Sequence, residues 1–185
     1  DMSYGDGKGF TEDLASVPDL LQAVLEKADD IREVAEKYSD AKNFLYLGRG
    51  INYPVALEGA LKLKEISYIH AEGFSAAEIK HGPIALINEE TPSMFLIPDD
   101  QLREKVISNM KEVKARKGRV IAIAVEGDKE VEAIADDVIF IPHTHELLYP
   151  YAMVLPLQLF AYYIALSLDR DVDQPRNLAK SVTVE

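Results

Sequence analysis

The chain has 185 residues, of which 48% are hydrophobic, and its 20 Lys and Arg residues against 32 Asp and Glu residues give a formal net charge of −12. This length and apolar content favour one compact domain and exclude global disorder. The negative charge disfavours nucleic acid and anionic membrane surfaces as partners. Because the chain has no cysteine, a disulfide framework, a thiolate nucleophile and a cysteine–zinc site are excluded, and a reducing compartment such as the cytoplasm is favoured.

The N-terminal segment divides into a polar part and a helical part. Residues 1–17 begin with a Gly-rich stretch that lacks the basic and apolar regions of a signal peptide, and we expect them to form a flexible lead-in or linker. Apolar residues then recur at three- and four-residue steps, and Pro18 suits a first helical turn. This pattern predicts one helix over residues 18–38.

Four short apolar runs predict the strands of a parallel sheet, and the segments between them have helical periodicity. Strands that alternate with helices of this length pair in parallel, with helices on both faces of the sheet. The predicted fold class is therefore α/β, a doubly wound parallel sheet in an αβα sandwich. A strand that ends in a turn is predicted at 43–50, further strands are predicted at 93–98, 119–126 and 137–142, and helices at 53–70 and about 102–113.

The segment 147–168 has no charged residue and is long enough to span a bilayer. However, two prolines and a glutamine lie within it, its flanking residues are acidic, and no basic cluster marks a cytoplasmic side. A helix buried between the sheet and a partner subunit is the favoured interpretation. We therefore predict one domain over residues 18–170, followed by an extended tail over residues 171–185.

A Gly-x-Gly turn formed by Gly48 and Gly50 follows the first predicted strand and precedes a helix. Ligands bind at such turns in open α/β sheets, and the amides of a helix N-terminus favour anions. The dinucleotide fingerprint would need a third glycine at Tyr53, so nucleotide binding is weakly supported. Two interpretations stay open, an anion site and a tight turn without a ligand.

Three charged residues, Glu58, Lys62 and Glu65, fall on one arc of the predicted helix because they are separated by four and three residues. A carboxylate and an ammonium side by side at the edge of an apolar helix can tune each other's proton affinity, as acid–base catalysis requires. The spacing alone is more typical of a surface salt bridge.

Other candidates for chemistry are four histidines and a lysine. His81 precedes a Gly-Pro pair and is suited to proton transfer near neutral pH, or to capping a helix end. His143 and His145 form a His-x-His pair, but the spacing indicates no third ligand, so no metal site is predicted. We expect His70 to pack at the end of its helix. An amine such as that of Lys180 forms a Schiff base with a carbonyl sugar when its pKa is lowered, although a solvated tail lysine is the simpler interpretation.

Three segments carry a resemblance to a known family. The sequences at 56–72, 76–87 and 171–185 closely resemble the C-terminal part of the glucosamine-6-phosphate synthases, the isomerising glutamine–fructose-6-phosphate aminotransferases. The resemblance runs from about residue 40 to the last residue. Full-length members carry a glutaminase domain and then two sugar isomerase (SIS) domains, and this chain is similar to the second SIS domain alone.

The resemblance implies a role for four residues. Glu65 is the base that moves a proton between C1 and C2 of the sugar, and Lys62, which lies beside it, takes part in proton handling. His81 opens the sugar ring and reaches into the site of the neighbouring subunit of a homodimer. Lys180 forms a Schiff base with open-chain fructose 6-phosphate and is then replaced by ammonia from the glutaminase site. The resemblance implies no cofactor and no metal ion.

The turn at Gly48–Gly50 departs from the family pattern, because the Ser/Thr-rich loop that holds the sugar phosphate belongs to the first SIS domain. We therefore expect a sugar-phosphate-binding fragment that depends on the first SIS and glutaminase domains and makes negligible glucosamine 6-phosphate alone. The alternatives are a non-catalytic sugar-phosphate-binding SIS module of a regulatory protein and a half that chiefly supplies a dimer interface through residues 147–168.

Overall fold

A five-stranded, entirely parallel sheet with the strand order β2-β1-β3-β4-β5 forms the centre of the molecule. The computed structural model describes residues 4–178, with side chains from residue 7. The strand order reverses between β1 and β3, as in other doubly wound folds, so the predicted fold class is confirmed. The strands are β1 (Asn43–Gly48), β2 (His70–Ser75), β3 (Ser93–Ile97), β4 (Val120–Val125) and β5 (Asp137–Ile141).

Helices cover both faces of this sheet. The face formed by Phe44 and Tyr46 packs under α2, α3, α4 and α7, whereas Leu45 and Leu47, which alternate with them along β1, pack under α5, α6 and a 3₁₀ turn (Ala76–His81). The helices are α1 (Tyr4–Ala15), α2 (Val17–Leu25), α3 (Ala28–Lys37), α4 (Tyr53–Ser67), α5 (Arg103–Lys114), α6 (Lys129–Glu132) and α7 (Tyr149–Ser167).

The edge strand β2 was not predicted, and the prediction of a helix over 53–70 with His70 at its end is wrong in its last residues. Helix α4 ends at Ser67, and His70 is the exposed first residue of β2. All six residues of β2 pair in register with β1. Its sequence, HAEGFS, has no β-branched residue, so pairing with a strongly β-prone neighbour, rather than local propensity, makes this segment a strand.

The N-terminal region is more helical than predicted. A helix, α1, occupies Tyr4–Ala15, where the sequence indicates an aperiodic lead-in, and the single helix predicted over 18–38 is two helices that separate at Glu26 and Lys27. The Lys27 ammonium pairs with Glu126 and also donates to the Phe140 carbonyl at 3.3 Å. These contacts hold the break against the carboxyl end of the sheet.

Helix α7 is part of the core, so its predicted burial is confirmed, while its predicted contact with a partner subunit stays a prediction. Nine of its residues are buried, and the helix packs against α4, α3 and α2. The segment Glu146–Ser167 is also long and apolar enough to cross a membrane by length and composition alone, but half of its most apolar stretch is buried inside the fold. Burial explains the apolar side chains that face the fold, whereas Tyr151, Tyr162 and Leu166 of the same helix are exposed.

Candidate functional site

The tight turn after β1 sets the start of α4. A Cβ atom at Gly48 would overlap the backbone carbonyl of Asn52, so only glycine fits this close approach. Gly50 has a positive φ of 56°, and a Cβ there would lie 2.8 Å from the Leu102 side chain. These steric demands support the interpretation of both glycines as turn residues, with α4 beginning at Tyr53.

Lys62 and Glu65 form a close ion pair on α4. The Lys62 Nζ donates to Glu65 Oε2 at 2.6 Å and lies 3.6 Å from Glu58 Oε1. The exposed side-chain fractions of Lys62 and Glu65 are 33% and 29%. The predicted grouping of these three residues on one arc is therefore confirmed. The partial burial of the pair distinguishes it from a freely solvated surface bridge.

The ion pair changes the titration of the lysine. The hydrogen bond to Glu65 raises the pKa of Lys62 above its ordinary value, and this effect outweighs burial, which lowers it. Lys62 therefore carries a full positive charge at neutral pH, directly beside the Glu65 carboxylate. Such a charge can stabilise a negative charge that develops on a neighbouring bound molecule.

Glu65 also lines a cavity of about 460 Å³ beyond the end of α4. One wall is formed by the end of α4 and the start of β2, and the opposite wall by the last described residues of the chain. The lining residues are Lys64, Glu65, Tyr68, Ile69, His70, Arg176, Asn177 and Leu178. Glu65, the predicted base, is thus placed at the edge of a space large enough for a small polar molecule.

Tyr68 connects these two walls. Its hydroxyl accepts a hydrogen bond from the backbone N–H of Arg176 at 2.9 Å. The guanidinium carbon of Arg176 lies 4.2 Å from the ring centroid of Tyr68, and that of Arg170 lies 5.3 Å from it, which are cation–π distances. No sequence signal indicated Tyr68 or Arg176 as site residues, because their contact joins positions that are 108 residues apart.

His81 lies elsewhere. It ends the 3₁₀ turn Ala76–His81, which packs on the sheet face opposite α4, and it does not line the Glu65 cavity. Its side chain is 71% exposed, and its Nδ1 lies 2.6 Å from Glu78 Oε2. One chain therefore does not bring His81 and Glu65 together. Lys180, the remaining predicted site residue, lies outside the described residues.

The other two histidines have structural contacts. His145 Nδ1 accepts a hydrogen bond from the backbone N–H of Leu147 at 3.2 Å, and this contact caps the turn before α7. His143 Nε2 lies 3.6 Å from Asp99 Oδ2 at the carboxyl edge of the sheet. Within residues 7–178, no group of three or more His, Asp or Glu side chains is arranged to hold a metal ion.

Comparison with known proteins agrees with this architecture. The SIS domain model matches residues 37–168. The chain is 58% identical, over 184 residues, to the glutamine–fructose-6-phosphate aminotransferase (isomerising) of Thermus thermophilus, covering 100% of this chain and 30% of that protein. The chain thus spans less than a third of the length of the curated relatives it matches.

Solved structures give the same result. The C-terminal domain of glucosamine-fructose-6-phosphate aminotransferase from Francisella tularensis superposes with a TM-score of 0.87 at 37% identity, covering 94% of this chain and 49% of that one. Tagatose-6-phosphate ketose/aldose isomerase from Escherichia coli superposes with a TM-score of 0.73 at 28% identity, covering 83% and 43%. From the family match, the parallel sheet and these superpositions, we conclude that the chain belongs to the SIS domain family.

Proposed function

We propose that this chain is the C-terminal sugar-isomerising segment of a glutamine–fructose-6-phosphate aminotransferase, and that it contributes Glu65, Lys62, His81 and Lys180 to the synthesis of glucosamine 6-phosphate. The proposal includes an SIS domain over residues 18–170 and a catalytic tail over 171–185. The observation that carries it is the Lys62–Glu65 ion pair at a cavity whose far wall is the chain leading to Lys180.

In this proposal Glu65 moves one proton between adjacent carbons of the sugar. A ketose–aldose conversion removes a proton from C1 and returns one to C2, so a single carboxylate acts first as base and then as acid. The Lys62 ammonium, 2.6 Å from Glu65 Oε2, stabilises the enolate charge that develops between these steps. Both side chains are only partly exposed, which strengthens their electrostatic effect.

Lys180 supplies the covalent step. Its neutral ε-amine attacks the C2 carbonyl of open-chain fructose 6-phosphate, and loss of water gives an imine. Ammonia then adds to the same carbon, and the lysine leaves as the free amine, so that C2 carries an imine of ammonia. The shift of the C1 proton to C2 by Glu65, with the C1 hydroxyl proton passing to nitrogen, converts this imine to the 2-amino aldose. The sequence places Lys180 two residues beyond Leu178, a residue of the cavity wall, and this proximity along the chain supports its assignment.

His81 serves a second subunit in this proposal. Its exposed side chain and its place on the opposite sheet face from α4 support a contribution to the site of a neighbouring copy. There the imidazole transfers the proton that opens the sugar ring, a task suited to a group that titrates near neutral pH. The functional unit is accordingly a homodimer, and we expect it in the cytoplasm.

The sugar phosphate requires another domain. The Gly48–Gly50 turn has no hydroxyl side chain, and Leu102 lies against Gly50, where a phosphate would otherwise approach. A first SIS domain would hold the phosphate, and a glutaminase domain would supply the ammonia. Both inferences agree with the 30% of the Thermus thermophilus relative that this chain spans.

A chimaeric enzyme tests the proposal. We would replace the matching segment of the Thermus thermophilus relative with this chain and measure glucosamine 6-phosphate formation from fructose 6-phosphate and glutamine. We expect turnover by the chimaera and negligible turnover by the 185-residue chain alone. An inactive but folded chimaera would contradict the proposal. If calorimetry shows that the chain binds fructose 6-phosphate with an affinity that neither Glu65→Gln nor Lys180→Ala changes, a regulatory module would instead be favoured.

A further inference from the structure

Tyr68 has a backbone conformation that its residue type rarely adopts. It ends α4 with φ 66° and ψ 14°, in the left-handed region where glycine or asparagine usually terminates a helix. A bulky aromatic residue at this position is an energetic cost that the surrounding contacts must offset. The contacts of the Tyr68 side chain identify what offsets it.

Apart from the cation–π contact of Arg170 at 5.3 Å, those contacts lead to the C-terminal segment, residues 171–178. Residues 171–178 contain no helix or strand. Within the described part of the chain, one hydrogen bond joins residues 171–178 to the rest of the fold, the bond from the Arg176 N–H to the Tyr68 hydroxyl. The other hydrogen bonds of this segment connect residues within it. The Arg176 guanidinium adds a cation–π contact to the same ring.

The left-handed turn also determines the direction of the Tyr68 ring. Tyr68 and Glu65 line the same cavity, and Arg176 faces them from the C-terminal segment. A tyrosine that continued the helix would present its ring along α4 rather than beyond its end. The unusual backbone conformation therefore places one ring where it lines the Glu65 cavity and contacts the C-terminal segment.

We propose that Tyr68 is a positioning residue that anchors the C-terminal segment, residues 171–178, at the Glu65 cavity and thereby fixes the point from which the chain continues to Lys180. Consecutive Cα atoms are separated by about 3.8 Å, so fixing Arg176 restricts a residue only four positions further on. The anchoring itself is independent of any substrate. Its catalytic consequence rests on the proposed function, because only the imine chemistry makes the position of Lys180 matter.

Amide hydrogen exchange of the 185-residue chain tests the anchoring directly. Tyr68→Phe removes the hydroxyl and keeps the ring, whereas Arg176→Gln keeps the N–H and removes the cation. In both variants we expect exchange over residues 171–178 to become about fivefold faster, the effect of losing one weak interaction. Exchange in β1 should stay unchanged. Tyr151→Phe, at an exposed tyrosine of α7, is the matched control.

A third variant separates the ring from the backbone. Tyr68→Asn keeps a residue that tolerates the left-handed conformation and removes the whole ring, so we expect a larger acceleration than in Tyr68→Phe. If exchange in β1 is also faster in this variant, its fold is impaired. The proposal is then tested by Tyr68→Phe and Arg176→Gln alone. Exchange over residues 171–178 that is unchanged in both Tyr68→Phe and Arg176→Gln would overturn the proposal.

Imine trapping tests the consequence. In the chimaera, borohydride reduces the imine between fructose 6-phosphate and Lys180 to a stable secondary amine, which mass spectrometry locates. We expect Tyr68→Phe to lower both the trapped yield and kcat several-fold, with an unchanged KM for glutamine. A wild-type yield in Tyr68→Phe would overturn the catalytic consequence. Failure of the unsubstituted chimaera to trap sugar would contradict the proposed function and leave the exchange result standing.

Discussion

The Lys62 ammonium lies 2.6 Å from Glu65 Oε2 but 3.6 Å from Glu58 Oε1, so it hydrogen-bonds the carboxylate three residues ahead in preference to the one four residues behind. The lysine therefore has one strong and one weak partner on the same helix. Glu65, the strong partner, is also the one that borders the cavity. The charge of Lys62 is thereby directed to the carboxylate that borders the cavity.

This asymmetry predicts how Lys62 titrates. Since the hydrogen bond to Glu65 is the largest cause of its raised pKa, Glu65→Gln should lower the pKa of Lys62 measurably, as followed by NMR of its side-chain Cε. Glu33→Gln is the matched control, because Glu33 is exposed and pairs with Lys37 instead. Equal pKa values for Lys62 in the wild type and Glu65→Gln would contradict the assignment.

The same pair predicts a pH dependence of stability. A lysine whose pKa is raised on folding stabilises the fold fully below its unfolded pKa, about 10.4, and loses this contribution as the pH rises through the folded value. Glu65→Gln should therefore reduce the free energy of unfolding at pH 7 by less than about 1 kcal/mol, since the pair is partly exposed. In urea titrations the difference from the wild type should vanish above the folded pKa.

A second ion pair predicts a larger effect at the carboxyl end of the sheet. Asp128 accepts two hydrogen bonds from Arg103, at 2.7 and 2.9 Å, and caps α6 by accepting from the Val131 N–H. Burial raises the pKa of Asp128, but these hydrogen bonds together outweigh it and lower the pKa below 3.8. Asp128→Asn should lower the free energy of unfolding by about 2 kcal/mol at pH 7.

The sign of its pH dependence is opposite to that of Lys62. The contribution of Asp128 is present above its unfolded pKa and is lost as the pH falls through the folded value, so the deficit of Asp128→Asn should shrink below about pH 4. Glu104→Gln is the control, because Glu104 also pairs with Arg103 but is 77% exposed. If Glu104→Gln lowered the free energy of unfolding as much as Asp128→Asn does, the account would be contradicted.

The turn after β1 predicts a steric effect. Gly48→Ala should lower the free energy of unfolding by about 3 kcal/mol, because the new methyl group collides with the Asn52 carbonyl, and backbone cannot move aside cheaply. Gly9→Ala is the matched control, since a Cβ there meets nothing within 4 Å and α1 gains helix propensity. Calorimetric melting of both variants measures the contrast, and equal melting temperatures would refute it.

The separation of His81 from Glu65 predicts complementation between subunits. Chimaeras with Glu65→Gln or His81→Ala should each be nearly inactive. After subunit exchange, half of the dimers are mixed, and each mixed dimer has one site with both residues intact, so about a quarter of the wild-type activity should return. Recovery no greater than the sum of the two variants would place both residues in one subunit's site.

The sequence predicts the sheet well where local signals are strong. The apolar runs at β1, β3, β4 and β5 indicate buried strands because residues on both faces are covered by helices. Strand β2 was not predicted, because it is an edge strand with uneven burial and its sequence has little β propensity. Its formation depends on a neighbour that is distant in sequence.

The contacts of the candidate site were likewise predictable only where they are local in sequence. The spacing of Lys62 and Glu65 indicates their contact because helical geometry is local. The contact of Tyr68 with Arg176 depends on how the end of the chain returns to α4, which no local pattern encodes. The place of His81 on the opposite sheet face likewise follows from topology rather than from spacing. Lys180 stays a prediction from family resemblance.

The central claim is that Glu65 of this chain moves the sugar proton. The most direct test compares kcat for glucosamine 6-phosphate formation in the chimaera with that of its Glu65→Gln and Glu33→Gln variants. A general base contributes about 10²- to 10⁴-fold, so Glu65→Gln should lower kcat by that factor while Glu33→Gln leaves it unchanged. A kcat for a folded Glu65→Gln chimaera within about twofold of the unsubstituted enzyme would contradict the claim.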